Sequence, residues 1–368
     1  MKFSKKLLNT TAALTLLVST TAANAAMMDD LVAAAKKEGQ LTVIALPHDW
    51  CGYGAVIDGF KKKYGITINE LNPDGGSGDE IEAIKANKGN TGPQAPDVVD
   101  VGLSFGPQGK KEGLFQPYKV STWDSIPDSA KDAEGFWYGD YYGVLSFVVN
   151  ADIVKKLPAD WADLQAPELK NSVALSGDPR SGNQSLQTVY AAGLSTTGGD
   201  ASKSAEAGLK FFSDLNKSGN FVPVAGQSAS LAQGTTPITV LWDYNALAAR
   251  DSLKGNPKIE VIVPKTGVLA GVYVQAISAF APHPSAAKLW MEYLYSDEGQ
   301  TMWLQGYCHP IRFNDLAKNG KISAEVMAKL PPAENYAKAV FPTLDEQAAA
   351  KEFIAKNWDS VVGVTIPK

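Results

Sequence analysis

Two aspartate–tryptophan pairs, Asp49-Trp50 and Trp242-Asp243, carry residue types that could do chemistry together. A carboxylate beside an indole suits an ammonium group, through a charge-assisted hydrogen bond and attraction to the ring face. The same pairs also suit an Asp that caps a loop and a Trp that covers the core. A second constellation is Ser181-Gly182-Asn183, at a strand-to-helix junction. Free backbone N–H groups and the positive end of a helix dipole suit an anion there, helped by the Ser181 hydroxyl. Capping of the helix by Ser181 or Asn183 is the alternative. Ser77, in Pro73-Asp74-Gly75-Gly76-Ser77-Gly78, is either an anion contact or the cap of a helix over 79–87. His48 and Tyr244 adjoin the two Asp–Trp pairs and complete the candidate ligand-binding set.

Other chemistries fit less well. A serine hydrolase needs G-x-S-x-G at a strand-to-helix turn, and Gly226-Gln227-Ser228-Ala229-Ser230 lacks the final glycine. No H-E-x-x-H is present, and three His in 368 residues are too few for a typical catalytic zinc site. No cofactor is expected. The net charge of −5, without a basic run interleaved with aromatics, argues against a nucleic-acid partner.

The chain starts with Lys2, Lys5 and Lys6, continues through an apolar stretch to Val18, and reaches Ala23-Asn24-Ala25. This order predicts a signal peptide over 1–25, hence export to the periplasm and a site that works without cytosolic nucleotides. The two cysteines, Cys51 and Cys308, then suggest a single disulfide rather than a nucleophile, because export exposes them to an oxidising compartment.

The candidate residues sit on loops that strands must position. Apolar runs at 41–46, 66–71, 96–101, 144–149, 173–175, 238–241 and 259–263 read as strands. Between several of them lie helical spacings, such as Val56, Ile57, Phe60 and Tyr64. This alternation predicts an α/β fold with parallel pairing. About 340 residues after the signal suit two lobes. No linker separates them, so crossing strands at 144–149 and 259–263 are the expected hinges. The lobes are drawn as 26–145 for the first part of lobe 1, 146–262 for lobe 2, and 263–368 for the return to lobe 1.

Four stretches, EGQLTVIAL, PDVVDVG, SGDPRSGNQ and PHPSAAKLWMEYLYSDEGQTMWLQGYCHPIR, resemble periplasmic solute-binding proteins of bacterial ABC importers. They are similar to the group that binds ferric iron, polyamines, phosphonates and sugar phosphates. The resemblance implies a two-lobe periplasmic-binding-protein fold of type II. It also implies a central cleft, no enzymatic activity, and a monomer that delivers a small anionic or zwitterionic solute to an inner-membrane permease. It places ligand contacts at Ser181–Asn183. It also brings Cys51 and Cys308 to one lobe at the cleft edge. Iron binders of the group carry two adjacent tyrosines where this chain has Asp243-Tyr244-Asn245, and Tyr141-Tyr142 lie elsewhere in the pattern. A ligand with one phosphonate end and one amine end uses both candidate constellations, and 2-aminoethylphosphonate is such a molecule. Polyamines, sugar phosphates and ferric iron are the alternatives within the class. A secreted α/β hydrolase is the alternative outside it.

Overall fold

The apolar run ahead of His48 forms strand β1 (Gln40–Ile44), with Leu41, Val43 and Ile44 buried. The structure, a computed structural model, describes residues 26–367 apart from 329 and 331–336. The expected signal peptide at 1–25 lies outside the described residues. β1 stops where Ala45 takes φ 57°, a left-handed backbone that L-residues adopt only at a cost. Helix α1 (Tyr53–Tyr64) buries Tyr53, Val56, Ile57 and Phe60, and Gly65 at φ 71° ends it. Strand β2 (Thr67–Leu71) then pairs in parallel with β1, setting Gln40 opposite Thr67 and Ile44 opposite Leu71. Helix α2 (Ser77–Ala86) and strand β3 (Val98–Gly102) complete this first alternation.

Strand β4 (Tyr138–Asn150) is 13 residues long and runs through the centre of the molecule. After it come β5 (Val173–Leu175), helices α3 (Asn183–Thr196) and α4 (Ala201–Ser218), β6 (Ile238–Trp242), α5 (Asp243–Leu253), β7 (Ile259–Ile262) and β8 (Ala270–Ser278). The sheet order is β3-β8-β4-β6-β5. From Tyr138 to Val144, β4 pairs with β8; from Leu145, opposite Trp242, it pairs with β6 instead. Val144 to Leu145 is therefore where one strand passes from one half of the sheet to the other.

Among the strands of the described residues, the expected parallel pairing holds for β1–β2 and β5–β6. The pairs β3–β8, β4–β8, β4–β6 and β4–β7 are antiparallel. Both β7 and β8 pair with β4, and only residues 263–269 join them. They therefore run in the same direction along successive stretches of β4, β7 beside Phe147 to Asn150 and β8 beside Tyr138 to Val144.

Helices α6 (Pro284–Tyr295) and α7 (Asp297–Gln305) follow, with the Ser296 hydroxyl accepting from the Gly299 N–H at 3.1 Å between them. The chain then reaches Cys308, which is disulfide-bonded to Cys51 with Cα atoms 5.5 Å apart. The final helix among the described residues, α8 (Leu344–Val361), packs on α4. Its Trp358 ring packs 6.2 Å from Phe212 and 6.4 Å from Phe221, and the Ser213 hydroxyl donates to the Val361 carbonyl at 2.8 Å. Ile354 and Trp358, one turn apart, bury an apolar stripe against α4 that solvent would otherwise meet. Among the described residues, no helix is long and apolar enough to cross a membrane.

The disulfide closes a loop over 257 residues of sequence separation. Cys51→Ser is expected to lower the unfolding free energy by about 2–5 kcal/mol. Urea unfolding with and without reductant checks this: reductant should weaken the wild type and leave the variant unchanged. Superimposable wild-type and variant curves would remove the bond from the stability account.

Candidate ligand-binding cavity

The strand ends converge on one cavity of about 520 Å³. Ala45, Asp49 and Trp50 reach it from the loop after β1, and Asn72 to Gly76 from the loop after β2. Asp100 and Tyr273 form its floor from β3 and β8. Ser176, Ser181, Gly182, Asn183, Gln184 and Ser185 wall it from the β5–α3 junction, with Leu241 from the end of β6 and Asn245 from the first turn of α5. This is the usual place for a ligand in an open α/β sheet, beyond the carboxyl ends of strands. Ala45 at φ 57° and Asn72 at φ 39°, both lining it, show backbone strain concentrated at the rim. The two walls touch: the Gly78 N–H donates to the Ser181 carbonyl at 3.2 Å. A Cβ on Gly78 would lie 3.1 Å from that oxygen, so glycine allows the approach.

Two helix N-termini face the cavity, and they differ. At α2, Asp79 accepts from the Gly76 N–H at 3.0 Å and places a carboxylate in the first turn. At α3, Gly182 is the N-cap, no side chain caps the helix, and no acidic residue stands in the first turn. The first-turn side chains of α3 are turned elsewhere. Gln184 Oε1 accepts from the Trp242 N–H at 2.8 Å, and Ser185 Oγ pairs with Ser176 Oγ at 2.8 Å. Asn183 packs on Gly102, where an added Cβ would lie 2.1 Å from its Cγ. The start of α3 therefore keeps its dipole and its first N–H groups for a partner in the cavity.

The floor carries a buried acidic cluster. Asp100 Oδ2 accepts from the Tyr53 hydroxyl at 2.8 Å and from the Tyr141 hydroxyl at 2.5 Å. Glu80 Oε2 accepts from the Asp100 backbone N–H at 2.8 Å. Asp140 Oδ2 accepts from Gln275 Nε2 at 3.0 Å, and the same amide donates to the Tyr53 oxygen at 2.7 Å. Burial pushes the Asp100 carboxyl up to about 7, against the pull of its two tyrosine hydrogen bonds. Burial first, then repulsion from Asp100, holds Glu80 and Asp140 well above the ordinary carboxyl range. Trp50 ties the loop after β1 to this cluster, its indole N–H donating to the Tyr141 oxygen at 2.7 Å.

The cavity's ionisable side chains are Asp49, Asp74, Asp79, Glu80, Asp100, Asp178 and Tyr273, with no Lys, Arg or His among the described lining residues. Asp178 is neutralised from behind by Arg180, whose Nε lies 2.9 Å from Oδ1 and whose Nη1 reaches Asp359 of α8 at 2.7 Å.

Of the residues singled out in the sequence, Asp49, Trp50, Ser77, Ser181, Gly182 and Asn183 line this cavity. His48, Trp242, Asp243 and Tyr244 are not among its lining residues. His48 is exposed and pairs with Glu70 at 2.6 Å. Trp242 packs over Gly271, where a Cβ would come 2.1 Å from the ring. Asp243 is buried as the first residue of α5, and its Oδ1 accepts from the Val144 N–H at 3.1 Å and the Tyr244 N–H at 3.0 Å. Its carboxylate therefore pins the changeover point of β4. Because α5 starts directly at the end of β6, the Trp242-Asp243 pair turns into the packing and not toward the cleft. Ser77 is no cap: its Oγ accepts from the Gly102 N–H at 3.0 Å, fastening α2 to β3. The sequence reading missed Asp100 and Glu80. The available signal was Asp100 itself, an acid inside the apolar run Val98-Val99-Asp100-Val101.

The chain matches the family of bacterial extracellular solute-binding proteins over residues 94–346, and it belongs to that family. It is 29% identical over 279 residues to an uncharacterized protein of Haemophilus influenzae, covering 70% of this chain and 74% of the relative. It is 25% identical over 319 residues to a candidate 2-aminoethylphosphonate-binding periplasmic protein of Salmonella typhimurium, covering 84% of this chain and 83% of that one. The fold matches the periplasmic binding protein AfuA of Actinobacillus pleuropneumoniae, solved with fructose-6-phosphate bound. That match has a TM-score of 0.68 and 21% identity, over 89% of this chain and 99% of AfuA. The fold is thus that of the periplasmic binding proteins, and the family is that of extracellular solute-binding proteins. Family and fold are those of transport binding proteins, not of secreted hydrolases.

Asp243→Ala tests the reassignment of that residue. It is expected to cost about 1–3 kcal/mol of stability, because two buried N–H groups lose their acceptor. The discrimination between amine-bearing and amine-free ligands should stay as in the wild type. Unfolding curves and a ligand pair measured by calorimetry check both halves; altered discrimination at unchanged stability would return Asp243 to the site.

Proposed function

We propose that this protein captures a small zwitterion in the periplasm, best matched by 2-aminoethylphosphonate, and presents it as a monomer to the permease of an ABC importer. One observation carries the reading. The uncapped start of α3 opens into a cavity whose charged side chains are all acidic. An anionic group at α3 is favoured by the helix dipole, by the first N–H groups and by the hydroxyl of Ser181. Such a group alone would meet only carboxylates around it, so the rest of the ligand must bring positive charge. A sugar phosphate lacks that charge. A diamine supplies it but leaves the α3 dipole unmatched. Ferric iron calls for a hard anionic oxygen set. Among the described residues, no group of three His, Cys, Asp or Glu is placed to hold a metal ion, and Tyr244 is not among the cavity's lining residues. The resemblance to the Salmonella protein supports the same ligand.

Capture proceeds by closure of the two halves about β4 and the β7–β8 connection. Each half supplies one wall, so a ligand that touches both favours the closed arrangement by its differential affinity.

A thermal-shift series with 2-aminoethylphosphonate, fructose 6-phosphate, putrescine and a ferric chelate tests the ligand class, since a bound ligand stabilises the native state by mass action. The aminophosphonate should give the largest shift; a larger one from putrescine would replace it with a polyamine. Ser181→Ala should then weaken phosphonate binding about tenfold or more, the loss of a charge-assisted hydrogen bond of about 1.5–3 kcal/mol. Melting without ligand should be unchanged. Undiminished affinity would remove Ser181 from the anion site.

A further inference from the structure

Asp100 is 5% exposed, lies on the cavity floor, and leaves its two carboxylate oxygens in different situations. Oδ2 takes both tyrosine hydroxyls, whereas Oδ1 has no hydrogen-bond partner within the protein. A buried, unpaired carboxylate oxygen is costly, and natural proteins keep few of them without a use. Every element around it contributes acids, phenols or amides. Glu80 faces it from α2, Asp140 and Tyr141 from β4, Tyr53 from α1, Tyr273 and Gln275 from β8 and Tyr244 from α5, with Tyr295 of α6 behind Asp140. Among the described residues, no Lys, Arg or His is hydrogen-bonded or paired to Asp100, Glu80 or Asp140. Trp50 and Tyr273 line the same cavity with ring centroids 5.3 Å apart, offering aromatic surface to a cation.

We infer that Asp100 is the specificity-determining residue of the cavity: its Oδ1 accepts the ligand's ammonium, and that cation displaces one proton from the Asp100–Glu80–Asp140 cluster to solvent. The inference rests on the zwitterion reading above. It adds which carboxylate holds the amine and makes capture proton-coupled. The direction follows from electrostatics. Burial keeps the Asp100 carboxyl protonated up to about 7, and a positive charge beside it favours the ionised form. Affinity for the amine-bearing ligand therefore rises with pH up to that value and levels off above it. Below about pH 7 it should fall about tenfold per pH unit, as expected when one proton competes with the ligand.

Calorimetry of the whole folded protein, in two buffers of different ionisation enthalpy, counts the protons. The probes are 2-aminoethylphosphonate, ethylphosphonate and putrescine, on the wild type and on Asp100→Asn. The wild type should release about one proton near pH 6 with the aminophosphonate and none with ethylphosphonate. Asp100→Asn should abolish the release and bring the aminophosphonate affinity down to that of ethylphosphonate. Equal wild-type affinity for both phosphonates, or proton release unchanged in the variant, overturns the inference and leaves the phosphonate reading in place. Putrescine bound with a release that Asp100→Asn removes, while both phosphonates fail, overturns the zwitterion reading and keeps Asp100. Binding of none of the three overturns both. If the variant does not fold, the wild-type count decides alone, and zero protons with the aminophosphonate overturns the inference.

Discussion

The arrangement depends on one strand serving two half-sheets. β4 pairs with β8 up to Val144 and with β6 from Leu145, so both cavity walls hang from the same backbone. That constraint is held at its turning point by Asp243, whose carboxylate accepts the Val144 N–H. Cavity geometry follows from it. The loops after β1 and β2 approach from one side and the β5–α3 junction from the other, meeting at Gly78 and Ser181. The disulfide between Cys51 and Cys308 then fixes the loop that carries Asp49 and Trp50 against the segment after α7. Each of these ties acts on backbone position, so small shifts in β4 would move both walls together.

Charge in the cavity is organised by backbone and side chain separately. Among the described lining residues the ionisable side chains are acids and one phenol, and on the proposed reading the helix dipole of α3 supplies the positive end. α2 could have competed for the same anion, but Asp79 and Glu80 occupy its first turn. On the proposed reading the site has polarity: the start of α3 takes the anionic end of the ligand without a basic residue, and the buried carboxyls take the cationic end. A free lysine in the cavity would pair with those carboxyls and erase the distinction.

Much of the fold was legible because its signals are local. Apolar runs bounded by Gly and Pro marked β1, β3, β6 and β7, and helical spacing marked α1. The Ser181–Asn183 junction was legible for the same reason, since a strand end followed by a helix start is a short-range pattern. What remained hidden depends on where the chain goes next. Asp243 and Trp242 follow a strand as Asp49 and Trp50 do, but with no loop between: α5 begins at once and rotates them into the packing between β4 and β8. Strand direction was misread because the partners lie far apart in sequence, β3 with β8 and β4 with β6, and their relative direction is set by tertiary placement, which no propensity reveals. The placement of α8 on α4 was invisible for the same reason: Trp358 and Ile354 announce an apolar stripe but not its partner. Glu80 lies in the helix read over 79–87, and only the tertiary structure turns it toward Asp100.

A crystal structure of the protein with 2-aminoethylphosphonate tests the central claim most directly, because the account fixes the ligand's orientation. The phosphonate oxygens should lie within hydrogen-bond distance of the first N–H groups of α3 and the Ser181 hydroxyl, with the ammonium against Asp100 Oδ1. The reverse orientation, with the phosphonate on the acidic floor or a cation at the start of α3, would contradict it.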